Sequence, residues 1–144
     1  MDTGLLHLHN ILRWIILLLL LVTIYQAFTK NKGIKKSSLW LMIAAHTTII
    51  LGFYQWYSGA WGLKVIQNLG FGEVMKDSAS RFWAVEHFAG MLIAIILITI
   101  ARGKAKALNY KSAFWFYLIA LILILVCIPW PFREGIGRPW FPGM

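Results

Sequence analysis

Four apolar stretches, residues 8–28, 39–57, 82–101 and 113–130, dominate the sequence. Each is about the 20 residues that an α-helix needs to cross about 30 Å of hydrocarbon at 1.5 Å per residue. An open sheet cannot take their place, because each unpaired backbone group in lipid costs several kcal/mol. With 60% hydrophobic and 13% charged residues among 144, the chain reads as a single membrane domain, 1–144, whose solvent is lipid. The expected fold is all-α: an integral membrane four-helix up-down bundle with helices at about 5–29, 38–57, 81–102 and 112–129, an outer loop 58–80 and an outer tail 130–144.

The formal charge of +9 matters through its placement. Lys30, Lys32, Lys35 and Lys36 lie between the first two spans, and Arg102, Lys104, Lys106 and Lys111 between the last two, with no acid in either segment. The remaining loops are nearly balanced: Lys64, Lys76, Arg81, Arg133 and Arg138 face Asp2, Glu73, Asp77 and Glu134. Short loops rich in Lys and Arg stay cytoplasmic, so the first helix is expected to run inward and both termini to lie outside. In a bacterium this describes a multi-pass protein of the inner membrane with periplasmic termini. The basic loops then touch anionic lipid, and nucleic acid is not an expected partner.

The N-terminus has Asp2 in place of a basic n-region, and no small-residue cleavage site follows the first span, so that helix is expected to be retained. The lone Cys127 has no disulfide partner and reads as packing. No internal repeat is evident. Trp40 and Trp115 mark the inner interface; Trp56, Trp61, Trp83 and Trp130 mark the outer one. The glycine-rich segment 58–80 is the longest connection, with an amphipathic piece at 73–81 that either lies on the surface or extends the third helix, and a loop of this length often caps a site.

Ionisable groups within a bilayer are costly and mark functional positions. This chain has His7, His9, Arg13, His46, Glu86 and His87. Neutral imidazole is the usual axial ligand of haem iron between membrane helices, and no paired carboxylates or Cys/His cluster point to zinc or di-iron. His87 lies roughly 8 Å below the outer edge of its span and His9 about a turn away in level, whereas His46 lies roughly 16 Å deep. Depth therefore makes His9 and His87 the expected axial pair, with His46 as alternative ligand or as an interhelical hydrogen bonder. Arg13, one turn below His9, is expected either to pair with Glu86 or to bind a haem propionate; Glu86 could instead orient the histidine of another helix. His7 sits at the water boundary, where an interfacial role is expected.

The runs Leu-His-Asn-Ile-Leu-Arg-Trp at 8–14, Ala-His-Thr-Thr-Ile-Ile-Leu-Gly-Phe-Tyr-Gln-Trp-Tyr-Ser-Gly at 45–59, Arg-Phe-Trp-Ala-Val-Glu-His-Phe at 81–88 and Ile-Pro-Trp-Pro-Phe-Arg at 128–133 resemble a family of short four-helix membrane proteins of Bacteroidota usually labelled "cytochrome B". The segment from Leu51 and Gly52 to Glu86 and His87 is similar to the helix, outer loop and Glu-then-His helix in each half of haem A synthase. That likeness implies His9 with His87 as an outer axial pair. Glu86 is adjacent to its histidine and Phe88 follows, where that family has Glu three residues earlier and Arg after.

Three classes of function are compatible with these features. The leading one is a haem b membrane cytochrome transferring electrons near the outer face, with a quinone or a respiratory-chain subunit as partner. The second is a cofactor-free small subunit or assembly factor whose polar groups specify helix packing. The third is a haem-handling or quinone-oxidising enzyme.

Overall fold

The structure, a computed structural model, describes residues 3–144; Asp2, counted among the outer acids, lies outside them. In chain order the elements are α1 (Thr3–Phe28), α2 (Ile34–Ser58), α3 (Leu63–Leu69), α4 (Phe71–Lys76), α5 (Ser78–Arg81), a π-helical turn (Phe82–Glu86), α6 (His87–Lys106) and α7 (Tyr110–Cys127), with no strand among the described residues. Four helical segments are long and apolar enough to cross a membrane, the third being Ser78–Lys106, which runs unbroken through the π turn. α1 packs on α2, α2 on α6, α6 on α7 and α7 back on α1, which closes an antiparallel ring.

The basic loops are shorter than the expected ten or so residues: only 29–33 and 107–109 are non-helical. Lysine is a good helix former, so α2 starts earlier and α6 ends later than hydropathy implies. Lys104 and Lys106 in the last turn of α6 also complement its dipole. Both turns close in one way. Lys30 (φ 53°) and Leu108 (φ 55°) adopt the left-handed conformation. The next amide then reaches back, Asn31 N–H to Gln26 O at 2.8 Å and Asn109 N–H to Lys104 O at 2.9 Å. This closing turn normally uses glycine, so the two side chains tolerate a cost of about 1–2 kcal/mol each.

The loop 58–80 is largely helical, being built of α3, α4 and α5. Asp77 caps α5: its Oδ2 accepts from Ser80 N–H at 2.8 Å, and hydrogen bonding from the Ser80 hydroxyl, then from its amide, holds the carboxyl below its ordinary range. α7 stops at Ile128, whose extended backbone (φ −71°, ψ 133°) is what a residue before Pro129 requires. Arg133 Nη1 then caps the helix, donating to Val126 O at 3.0 Å and Ile128 O at 3.1 Å.

Large apolar side chains such as Leu18, Ile50, Ile93 and Val126 are exposed on the outside of the ring, where lipid is their natural solvent. The interior uses small residues where helices approach: Ala94, Ala101 and Ala105 of α6 meet Ala113 and Ala120 of α7 in one core with Leu20, Leu41 and Tyr117. At the end bearing the short turns, Arg102 Nη1 ties α6 to α2 by donating to Lys35 O at 3.2 Å and Ser38 Oγ at 3.1 Å. We call this the basic end, and the opposite one, with α3–α5 and the tail, the terminal end.

Candidate functional site

A cavity of about 700 Å³ opens within the terminal end of the ring, inside the range of roughly 300–1,000 Å³ typical of small-molecule and cofactor sites. His9 and Arg13 of α1, Gly52 and Gln55 of α2, His87 of α6 and the tail all line it. His9 and His87 come together there, their ring centres 6.4 Å apart and their planes 54° apart. An imidazole nitrogen lies about 2.0–2.1 Å from a bound metal and about 1.1–1.2 Å from its own ring centre. Two imidazoles on opposite sides of one ion therefore have centres about 6.4 Å apart.

The orientation of His87 follows from its partner. Nδ1 lies 2.8 Å from Cys127 O, and since a carbonyl only accepts, Nδ1 carries the proton and Nε2 keeps the lone pair. A backbone carbonyl fixing the second nitrogen is the usual support for a ligating histidine. Phe82 and Trp83 flank the ring, with centres 5.7 Å and 5.6 Å from it. The π turn immediately precedes His87, whose N–H bonds to Phe82 O, and such turns often mark functional positions. Trp56 locks it to α2 by donating Nε1–H to Ala84 O at 2.8 Å and stacking on Phe88.

His9 is held differently. Its Nδ1 is buried and has no hydrogen-bond partner. Gly52 makes room for the ring: a β-carbon added there would already touch His9 Cε1 at 3.4 Å. Arg13 Nε and Gln55 Nε2 are likewise buried without partners. Of the four such side-chain atoms among the described residues, these three belong to residues lining one cavity, and the fourth is Tyr117 Oη in the core. Buried polar atoms are nearly always satisfied, so this concentration makes the cavity the candidate ligand site.

The Arg13 to Glu86 ion pair does not form. Glu86 Oε1 accepts instead from Arg81 Nε at 2.6 Å and faces a separate recess with Arg133 and Glu134. In a π turn residues five apart lie one above the other, which brings Arg81 over Glu86, and with His87 turned inward its neighbour is directed away. Arg13 instead straps the tail. Its Nη2 donates to Asn10 Oδ1, Pro139 O and Trp140 O at 3.2, 3.3 and 2.7 Å. Trp14 Nε1 adds a bond of 2.8 Å to Trp140 O.

His46 lies outside this constellation, exposed on the flank of the bundle. Its Nε2 is 3.0 Å from Thr99 Oγ1, whose own proton goes to Ile95 O, so Nε2–H donates to the hydroxyl. His7 lines the cavity as an exposed residue. Gln55, Gly52, Lys64 and Arg138 also line the cavity and escaped a search confined to ionisable residues inside the spans; an amide and a glycine within one apolar run were the signal for the first two.

Among the described residues no group of three or more His, Cys, Asp or Glu is arranged to hold a bare metal ion. Two imidazoles suit a prosthetic group that brings its own equatorial ligands. No family model, curated protein or solved structure matches this chain.

Proposed function

We propose that this protein is a membrane cytochrome that binds haem b between His9 and His87 and passes electrons near the membrane face on which its termini lie. The carrying observation is the separation of 6.4 Å between two imidazole centres that line one cavity of cofactor size. The orphaned Nδ1 of His9, whose ring Gly52 accommodates, supports the same reading. When bound, the haem supplies a one-electron couple whose potential depends on its axial ligands and surroundings.

The chain's own residues account for the rest. Cys127 O keeps the His87 tautomer and ring plane fixed. His9 and His87 would together hold the iron, and ligation by both would favour electron transfer over oxygen chemistry. The tail, strapped to Arg13 and Trp14, limits access of water from above. We place both basic turns in the cytoplasm and the termini in the periplasm of a bacterial inner membrane, on the charge asymmetry of the loops. A quinone or a respiratory-chain subunit is the matching electron partner.

The test is the absorption spectrum of protein purified in detergent after haem-replete expression. A Soret band with a split reduced α band is expected, lost in His9→Ala and in His87→Ala and kept in His46→Ala. Absence of any haem absorption in the wild type would sink the reading and leave a cofactor-free packing subunit; full haem in His9→Ala would overturn the axial assignment.

A further inference from the structure

Among the described residues three cationic side chains, Arg13, Lys64 and Arg138, line the cavity, and no carboxylate side chain does. Arg13 is committed to the tail carbonyls. Lys64 and Arg138 are not so committed: among the described residues neither is paired with an acid. Lys64 stands in the first turn of α3, and Arg138 belongs to the tail, where its guanidinium lies 4.8 Å from the centre of the Trp83 ring. Trp83 in turn touches His87, so Arg138 is one ring away from the histidine pair. Deeper walls are apolar, formed by Ile49, Ile95, Ile98 and Ile124. A cavity with a greasy interior and cationic side chains at its polar end is complementary to an amphiphile with an apolar body and an anionic end.

We infer that Lys64 and Arg138 form a carboxylate-binding rim that orients a porphyrin dicarboxylate with its acid edge toward the terminal end. This rests on the haem reading and deepens it, because it names the ligand class and its direction. It also moves the propionate role away from Arg13, whose donors hold the tail.

The experiment uses the full chain, expressed under haem limitation and purified in detergent, and reads binding by quenching of tryptophan fluorescence. The probes are iron-free protoporphyrin IX, its dimethyl ester and oleate. The wild type is expected to bind the diacid about tenfold more tightly than the diester, as two partly exposed charge pairs allow. The double variant Lys64→Met/Arg138→Met should bind the diacid no better than the diester, with diester affinity unchanged, and Lys64→Arg/Arg138→Lys should restore most of the preference. Wild-type diacid affinity in the double Met variant would overturn the inference, as would an equal loss of both porphyrins. Displacement of the diacid by equimolar oleate would also overturn it, assigning the rim to an acyl carboxylate. Neither porphyrin carries iron, so the two readings fail separately. A diacid preference that persists in a wild type unable to ligate added haem keeps the rim and sinks the cytochrome; haem ligation without any diacid preference does the reverse.

Discussion

Replacing Gly90 by alanine tests the contact that sets the position of His87. A β-carbon at Gly90 would lie 2.2 Å from Cys127 Sγ and 3.4 Å from Cys127 Cβ. Ordinary contact is about 3.5–4.0 Å, so roughly 1.5 Å must be found by rotating the thiol or separating α6 from α7. Overpacking of this kind costs about 1–3 kcal/mol, and the better helix propensity of alanine returns about 1 kcal/mol, which leaves a net loss of up to about 2 kcal/mol. Cys127 also supplies the carbonyl that holds His87 Nδ1, three residues before Gly90, so the same displacement loosens the histidine. In a Cys127→Ala background only ordinary contacts remain, 3.4 Å to Cβ of residue 127 and 3.9 Å to Leu123 Cδ1, and Gly90→Ala becomes neutral or mildly stabilising there. The double-mutant cycle therefore yields a coupling of about 2 kcal/mol. Thermal unfolding in detergent of the four proteins measures it, with a drop of about 5 °C expected for Gly90→Ala alone. A Gly90→Ala protein as stable as wild type, or an equal loss in both backgrounds, would refute the reasoning.

Gly52→Leu should push the His9 ring from its place, since even one added carbon reaches contact at 3.4 Å; we expect a loss of low-spin haem absorption with secondary structure retained by circular dichroism, and an unchanged haem spectrum would contradict the cradle. Asp77 provides the pH dependence. Its carboxyl is held below 3.8 by the bonds to Ser80, so the cap is intact above that value and lost as pH falls through the lower, folded one. Amide protection at Ser80, corrected for intrinsic exchange, should fall in strong acid for the wild type and stay level for Asp77→Asn, which caps without a charge.

Hydropathy and residue type were enough to read four spans, their alternation and the common level of His9 and His87, because span length and helical rise are set by backbone geometry alone. Helix ends were not legible. Lysine-rich segments look like loops on a hydropathy scale yet continue helices, so the turns shrank to 29–33 and 107–109. The fate of Glu86 was hidden for another reason: a π turn changes which residues stack, and nothing in the letters 82–86 announces one. The prolines of the tail forbid a helix, but nothing local says where the tail goes. Its inward contacts depend on Arg13 Nη2, Asn10 Nδ2 and Trp14 Nε1, which meet the carbonyls of Pro139 and Trp140 more than a hundred residues away in sequence. Such long-range bonds follow from tertiary packing and have no local signature.

The pairing of the two histidines has a cause that depth measured from the outer edge only approximates. α1 and α6 run in the same direction, and each ends in the same left-handed turn at the basic end, at Lys30 and at Leu108. His9 and His87 each precede that turn by twenty-one residues. At 1.5 Å per residue both stand about 32 Å above it, so two helices of different sequence deliver imidazoles to one level without any direct contact having to enforce it. His46 is twelve residues into α2 from Ile34, about 18 Å from the same plane, and falls well short of that level. The repetition is thus one of spacing between a histidine and a turn, carried by two helical hairpins whose residues otherwise share little. It explains how His9 and His87 meet at the terminal end while His46 finds a hydroxyl on the flank.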